Sequence, residues 1–307
     1  ETKYISALGS IERCSQMAVE LLRISVLADD YAGYDIRGLY AQHGLSLLLE
    51  VLLSNGERKS ILFDVAQDGA AILHNAELMD LDIEHIDMIT LSHSHYDHSA
   101  GLLEVLKRVE KKPIPLVAHP DIAKPTIHLS QRGLRDVGLP YTLSQAEEAG
   151  ARPLLVREPM ELAPGVVFLG EVPRYRRDLV SEIRDLYTIE SGRLVPHTIN
   201  DDTGIAINVE DYGVILVSGC SHSGIVNMVM HARKLLGKPV KAVFGGLHLV
   251  GADREKIKKV IEALRNEGVE EVYVGHCTGL KAEYMLMEAY GESFTKIHTG
   301  FIKTFGS

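Results

Sequence analysis

The amino-acid sequence predicts an α/β protein whose mixed β-sheets are flanked by helices. Apolar runs of strand length alternate with segments typical of helices in both halves of the 307-residue chain. Short turn signals such as Asn55-Gly56 join neighbouring strands, so the sheets should contain antiparallel as well as parallel pairs. The hydrophobic content of 46% is enough for one large core or two modest ones.

The elements of the first half precede residue 119. The Asn55-Gly56 turn lies between the second and third predicted strands and predicts a hairpin there. A loop with several glycines and His43 separates the first two strands. The predicted strands cover residues 21–27, 45–53, 59–65, 86–91 and 116–118, and the predicted helices cover residues 68–78 and 102–111.

The last third of the chain returns to the same alternation of strands and helices. Its first two strands are joined by Asp211-Tyr212-Gly213, which is typical of a turn. The predicted strands cover residues 204–209, 214–218, 240–244 and 271–274, and the predicted helices cover residues 225–236, 253–266 and 282–290.

The segment from about residue 119 to 200 is the least regular, and it holds many of the prolines. We interpret it as a long insertion over the functional site rather than a separate domain. Four of its arginines lie close together: Arg174, Arg176, Arg177 and Arg184. They could clamp a phosphate bidentately. The favoured interpretation is a solvated face paired with Asp178, Glu182 and Asp185.

Charge and cysteine content exclude several classes of function. The formal net charge of −10 argues against a nucleic-acid partner, although a small anionic substrate remains compatible with it. The three cysteines, Cys14, Cys220 and Cys277, form no CxxC pair and favour a reducing, cytoplasmic location. No run of 18 apolar residues and no signal-peptide pattern is visible, so no membrane partner is expected.

The run Ser92-His93-Ser94-His95-Tyr96-Asp97-His98-Ser99 is the strongest chemical signal in the sequence. Three imidazoles and a carboxylate follow an apolar strand, and these ligands favour a first-row divalent metal. His93 and His95 can point the same way, while Asp97 and His98 reach a second point nearby. The spacing can hold two metals, the arrangement that activates water. A solvated His-rich loop is the weaker interpretation, because such tracts usually lie in polar, low-complexity sequence.

Three later strands also end in a glycine followed by a potential metal ligand. The three runs are Gly219-Cys220-Ser221-His222, Gly246-Leu247-His248 and Gly275-His276-Cys277. Glycine lets the backbone turn sharply and approach a ligand closely. Chemistry in sheet-based folds gathers where strand ends converge, so these runs should meet the His93–His98 loop.

The pattern at residues 93–98 resembles the H-x-H-x-D-H signature of the metallo-β-lactamase fold superfamily. Leu62-Phe63-Asp64 resembles its first motif and Val274-Gly275-His276 its last metal motif. The resemblance implies a four-layer αββα sandwich with a di-metal site at the edge between two mixed sheets. It also implies that residues 1–307 form a single domain.

The resemblance further implies a ligand set for two divalent metals, with zinc as the default and manganese or iron fitting the same ligands. The first metal would be bound by His93 and His95, and the second by Asp97, His98 and His276.

One position departs from the superfamily pattern. Where a bridging carboxylate usually stands, this sequence has Cys220 and His222. We expect His222 to be the ligand and keep Cys220 as the alternative. His197 is the histidine at the spacing of the remaining family ligand, but its surroundings do not match cleanly.

Other residues are expected to act beside the metals. Asp64 should orient a metal ligand, with a strand-end cap as the alternative. His248 resembles the histidine that donates a proton to the leaving group in the tRNA-processing and phosphodiesterase branches. A supporting hydrogen bond is the alternative role for His248. His43 could line the pocket. Three further histidines are expected to be structural or exposed: His119, His128 and His231.

The resemblance implies a metal-dependent hydrolase that attacks an ester, phosphoester or related small molecule with activated water. Asp97 would help orient the nucleophile and His248 would protonate the leaving group. The glycine-flanked motifs resemble most a subgroup labelled dihydropterin ribofuranosyl-aminobenzene phosphate synthase-related, which is linked to methanopterin synthesis. The alternative is therefore a pterin-related synthase or transferase acting on a phosphorylated small molecule.

Two further classes are disfavoured. Di-iron redox members of the superfamily carry a carboxylate at the position of His95. A non-catalytic scaffold would be expected to lose the H-x-H-x-D-H ligands, which this chain retains.

Overall fold

Strands and helices alternate along the computed structural model, which describes residues 18–181 and 185–306. Cys14, Glu182 and Arg184 lie outside the described residues. The strands are β1 Val19–Ala28, β2 Ser46–Leu53, β3 Arg58–Phe63, β4 Met88–Thr90, β5 Ile114–Ala118, β6 Ile127–Ser130, β7 Gly133–Asp136, β8 Ala151–Leu155, β9 Met160–Ala163, β10 Val166–Phe168, β11 Leu186–Glu190, β12 Arg193–Pro196, β13 Gly204–Val209, β14 Gly213–Ser218, β15 Val240–Gly246, β16 Glu271–Gly275, β17 Phe294–Lys296 and β18 Ile302–Gly306. The helices are α1 Gly69–Leu78, α2 Tyr96–Ser99, α3 Leu102–Arg108, α4 Leu143–Glu148, α5 Ile225–Leu236, α6 Arg254–Asn266 and α7 Leu280–Tyr290. None of these described helices has the length and apolar character needed to cross a membrane.

The main strands are hydrogen-bonded in the order β17-β16-β15-β14-β13-β1-β2-β3-β4-β5-β8. The two halves of this series meet at β1 and β13, whose register is one parallel pair, Val19 with Val209. Each half is mixed, because β1-β2-β3 and β13-β14 are antiparallel whereas β3-β4-β5 and β14-β15-β16 are parallel. The predicted mixed sheets are therefore confirmed.

Alternation of buried residues along the strands produces four layers. In β2, Leu47 and Leu49 pack between the two halves of the sheet, against residues such as Phe244 on β15. Leu48, which points the other way, packs with the apolar side of α1 and α3. On the opposite outer side, α5, α6 and α7 pack against β14, β15 and β16. Two sheets packed face to face with helices outside each are the predicted αββα sandwich.

The regular elements of the two halves lie close to their predicted bounds. The Asn55-Gly56 turn joins β2 and β3 in an antiparallel hairpin, and Gly56 has a φ of 82°. Two predicted helices began one residue early, at Asp68 and Asp253. Both residues are N-caps whose side chains accept backbone N–H groups of the first turn.

The segment 119–200 is more regular than its sequence predicts. Its described residues, 119–181 and 185–200, contain seven strands, β6 to β12, and helix α4. Four of the strands, β12-β11-β6-β7, form a separate small sheet, whereas β8, β9 and β10 join the main one. Strands β6, β7 and β12 are short runs with mostly exposed side chains, so they lack the apolar alternation by which strands are recognised. The prediction of a single domain with an insertion over the site stays a prediction.

The sheet interface makes a direct prediction about stability. Phe244 is fully buried between the two halves, and its ring stacks on Tyr273 with the centroids 5.6 Å apart. Replacing Phe244 by alanine is expected to lower the free energy of unfolding by about 3–5 kcal/mol, because a cavity replaces the ring. Tyr34, which is fully exposed, is the control, and Tyr34→Ala should change stability little. Denaturant unfolding measures both; equal effects would contradict this packing.

Candidate metal centre

The His93–His98 loop is held in place at the carboxyl end of β4. The Ser94 N–H donates to Asp201 Oδ2 over 2.7 Å, and the Thr203 N–H donates to the Ser92 carbonyl over 3.0 Å. Helix α2 begins directly after His95 and carries the last two residues of the motif. His93 and His98 are fully buried. Because several backbone bonds fix this loop, its side chains are held before any ligand binds.

Three imidazoles form the first potential ligand group: His93, His95 and His222. His93 Nε2 lies 3.0 Å from His95 Nδ1. The His222 ring centroid lies 4.8 Å from that of His93 and 4.9 Å from that of His95. Ligand atoms of the three residues lie within 4.8 Å of one another. The structure therefore brings His222 to the position where the sequence analysis expected a further ligand.

A second group contains Asp97, His98 and His276, with Cys220 beside it. His98 Nε2 lies 3.1 Å from His276 Nε2, and Asp97 Oδ2 lies 3.5 Å from His276 Nε2. Cys220 Sγ is 3.1 Å from His98 Nε2 and 3.4 Å from His276 Nε2. Cys220 also groups with His93 and with His222. The thiol therefore lies between the two groups, where a bridging ligand would be placed.

Carboxylates hold the outer nitrogens of His98 and His276. Asp64 Oδ2 accepts from His98 Nδ1 over 2.6 Å, and its oxygens also accept the Ser92 N–H and hydroxyl over 2.7 Å. Asp30 Oδ2 lies 2.7 Å from His276 Nδ1, and Asp29 Oδ2 accepts the His276 N–H over 2.8 Å. Carboxylates that bond the second nitrogen of a ligating imidazole fix its tautomer and orientation.

Asp64 was predicted from the sequence as a residue that supports a metal ligand, whereas Asp29 and Asp30 were not. Both missed residues follow β1 directly, just as Asp64 follows β3. An aspartate immediately after an apolar strand was therefore the available sequence signal. It was recognised after β3 but not after β1.

The charge states of His93, His95, His222 and Asp97 suit metal ligation. Burial lowers the pKa of His93, His95 and His222, and that of His95 falls to about 3. These imidazoles are therefore neutral, the form that coordinates metals. Burial raises the pKa of Asp97, but the neighbouring His98 and His276 outweigh it and hold that pKa well below its usual range. Asp97 is therefore an anion at neutral pH.

The residues present fit a metal pair. Within residues 18–181 and 185–306, His95 Nε2 and both ring nitrogens of His222 are buried without a hydrogen-bond partner. Leaving a buried polar atom unpaired costs about 1–3 kcal/mol. Imidazole, carboxylate and thiolate are ligands of zinc and related divalent metals. A cation bound among these atoms would satisfy them, and no other group in the described chain does.

Two histidines stand beside the cluster. The His248 ring centroid lies 4.1 Å from that of His222, and its backbone N–H donates to Cys277 Sγ over 3.2 Å. Burial lowers the pKa of His248 and the Cys277 thiol raises it, with a net rise. His43 is half exposed at the rim, with Nδ1 2.7 Å from Asp30 Oδ1 and Nε2 3.4 Å from Asp97 Oδ2.

The remaining histidines lie elsewhere. His197 Nδ1 accepts the Ile199 N–H over 3.2 Å, in a loop that lines a separate cavity. His119 accepts the Asp121 N–H, and His231 bonds the Leu169 carbonyl. His128 is exposed on β6. The structural or exposed roles expected for the last three agree with these positions.

Known proteins share both the sequence around the His93–His98 loop and the fold. A family model described as a beta-lactamase superfamily domain matches residues 60–140, which include the His93–His98 loop. The crystal structure of a metal-dependent hydrolase of the beta-lactamase superfamily superposes with a TM-score of 0.78. The match covers 93% of this chain and 100% of that one. At 23% identity, it shows a shared fold.

Two relatives from Methanocaldococcus jannaschii identify the family to which the chain belongs. One is a 7,8-dihydropterin-6-methyl-4-(beta-D-ribofuranosyl)-aminobenzene-5'-phosphate synthase, 43% identical over 291 residues that cover 94% of this chain and 98% of the relative. An uncharacterized protein is 30% identical over 281 residues, 91% of this chain and 98% of its own. The chain therefore belongs to the metallo-β-lactamase superfamily and, within it, to the family of this synthase.

Proposed function

We propose that this protein is a metal-dependent synthase that joins a dihydropterin-6-methyl group to a phosphorylated ribofuranosyl-aminobenzene. The observation that carries the proposal is the 43% identity to the named synthase over nearly the full length of both chains. The proposed metal ligands are His93, His95 and His222 for one ion and Asp97, His98 and His276 for the other. Cys220 would contact both.

The proposed reaction is a substitution at carbon. The lone pair of the arylamine nitrogen forms a bond to the pterin methyl carbon, the bond from that carbon to a phosphate or diphosphate oxygen breaks, and the amine loses one proton. A bound pair of divalent metals supplies positive charge for a phosphate-type leaving group or, with water as the nucleophile, lowers the pKa of that water.

The chain's own residues position the reactants and move protons. Asp97 is held anionic and can accept a hydrogen bond from the entering nucleophile. His248 lies beside His222 and lines a cavity of about 510 Å³ with Ser181, Leu249 and Lys256. An imidazole at the mouth of a cavity can exchange a proton with the reacting groups. We propose that His248 protonates the leaving oxygen.

An assay of the joining reaction with the zinc-loaded protein tests the proposed synthase activity. The substrates are 4-(β-D-ribofuranosyl)aminobenzene 5'-phosphate and a dihydropterin whose 6-hydroxymethyl group is esterified with phosphate or diphosphate. Mass spectrometry should detect the joined product and the released phosphate, or diphosphate from the diphosphate ester, in equal amounts. Release of phosphate without joined product would contradict the synthase.

A metal-dependent hydrolase is the second candidate, and one observation favours it. Three neutral imidazoles on a single metal, here His93, His95 and His222, form the ligand set of water-activating zinc sites. Under this candidate water replaces the arylamine. Phosphodiester, phosphomonoester, lactone and thioester substrates test it: turnover of one class, with no joined product in the synthase assay, would support the hydrolase.

Replacing His248 by alanine is expected to slow turnover by about 10²–10⁴-fold, the usual contribution of a positioned acid or base. Metal content should stay unchanged. Turnover of a substrate with a better leaving group should fall less, because departure of that group depends less on protonation. Equal losses on good and poor leaving groups would remove the proton-donor role.

A further inference from the structure

A cavity of about 540 Å³ is lined largely by basic and polar residues, and it shares Ser181 with the cavity that contains His248. Its walls include Glu171, Arg174, Arg177, Ser181, His197 and Thr198. We propose that this cavity binds the phosphomonoester group of the substrate. The proposal rests on the proposed function for the identity of that substrate, and on the following contacts for the anion site itself.

His197 presents a buried hydrogen-bond donor with no acceptor. The side chain is 8% exposed, and Nδ1 accepts the Ile199 N–H over 3.2 Å. Burial lowers the pKa of His197, so the ring is neutral and its proton is on Nε2. In the described chain this Nε2 is buried and has no hydrogen-bond partner. His197 is one of the residues that line the cavity, and a buried donor without an acceptor favours a ligand that offers one, as a phosphate oxygen does.

The charge of the cavity also favours an anion. Arg174 is held in position by the carbonyls of Thr198 and Ile199 and by the Asn200 side chain. Arg177 makes no ion pair with any side chain in 18–181 or 185–306. The one carboxylate in the wall, Glu171, is already paired with Arg157 and bonded to His119. Two arginines without a carboxylate partner in the described residues therefore line the cavity, and guanidinium groups bind phosphate well.

Ser181 connects this cavity to the reacting end of the site. It lines both the Arg177 cavity and the one that contains His248. Its hydroxyl donates to the Ser221 carbonyl over 3.1 Å, next to His222. An elongated molecule can therefore place its phosphate near Arg177 while its far end reaches His248. A ribofuranosyl-aminobenzene 5'-phosphate has this form, because its phosphate and its amine stand at opposite ends.

Calorimetric titration of the zinc-loaded protein with ribose 5-phosphate tests the anion site. Arg177→Ala should weaken binding about tenfold or more, because a charge-assisted hydrogen bond is lost. Arg177→Lys should recover part of the affinity. Arg176→Ala is the matched control, since the neighbouring Arg176 pairs with Asp178 and lines a different cavity. Equal affinities of Arg177→Ala and the wild type would overturn the site.

Two further measurements distinguish a failure of the anion-site proposal from a failure of the proposed synthase activity. If inorganic phosphate binds as tightly as ribose 5-phosphate and with the same dependence on Arg177, the site serves free phosphate and the substrate assignment is overturned. In the synthase assay, Arg177→Ala should raise KM for the aryl phosphate and leave kcat nearly unchanged. If turnover is present but KM is unchanged, the anion site fails alone. If binding depends on Arg177 but no joined product forms, the proposed function fails alone.

Discussion

Replacing His93 by alanine is expected to lower the metal content from about two ions per chain to about one. His93 belongs to two of the potential ligand groups, one with His95 and His222 and one with His98 and Cys220. Loss of residues that merely support metal ligands typically costs 10–100-fold in affinity or activity. A direct ligand should cost more, so turnover should fall by more than about 100-fold.

Elemental analysis of protein purified without added metal measures this change. His85→Ala is the control, because His85 is an exposed histidine whose ring contacts Asp82 and Glu110 and no residue of the proposed ligand groups. It should retain the full metal content and turnover. Unchanged stoichiometry in His93→Ala would contradict the proposed ligand assignment.

Replacing Asp64 by alanine should weaken both metal binding and the fold. Asp64 is fully buried and holds His98 Nδ1, the Ser92 N–H and the Ser92 hydroxyl, and that hydroxyl lies 2.9 Å from His93 Nδ1. One carboxylate thus supports histidines of both ligand groups. Each buried group left without its partner costs about 1–3 kcal/mol. Metal affinity should fall by about 10–100-fold.

The backbone of Asp64 requires a matched control. Asp64 has a φ of 57°, which alanine adopts with strain. Asp80 has a φ of 53° and is exposed, so Asp80→Ala measures the strain alone. Denaturant unfolding and zinc titration of the two variants separate the effects. Equal losses of stability and of zinc affinity in Asp64→Ala and Asp80→Ala would show that the Asp64 carboxylate stabilises neither the fold nor the metal ligands.

Local pattern was sufficient for the two halves of the sandwich. Buried strands such as β2 are almost wholly apolar, and turn or capping residues such as Gly56 and Asp68 mark where elements end. The pairing of β18 with β1 could not be predicted in this way, since it joins residues as far apart as Leu21 and Gly306. Pairing over such a distance depends on the whole fold rather than on local sequence.

The candidate site was predictable where ligands are close in sequence, as in the His93–His98 loop. The alternatives at Cys220 and His222 could not be separated from the sequence, and the structure shows why: both side chains point into the cluster. For His197, spacing in the sequence was not sufficient to predict its position. Spacing alone made it a ligand candidate, but the fold turns its Nδ1 to its own loop and places it at the arginine-lined cavity.

Anomalous X-ray scattering from crystals of the zinc-loaded protein, measured at the zinc absorption edge, tests the proposed pair of metal sites. We expect two peaks, each about 2.0–2.3 Å from its ligand atoms. One peak should contact His93, His95 and His222, and the other Asp97, His98 and His276, with Cys220 Sγ reaching both. A peak at His197, or no peak at this cluster after reconstitution with zinc, would contradict the account.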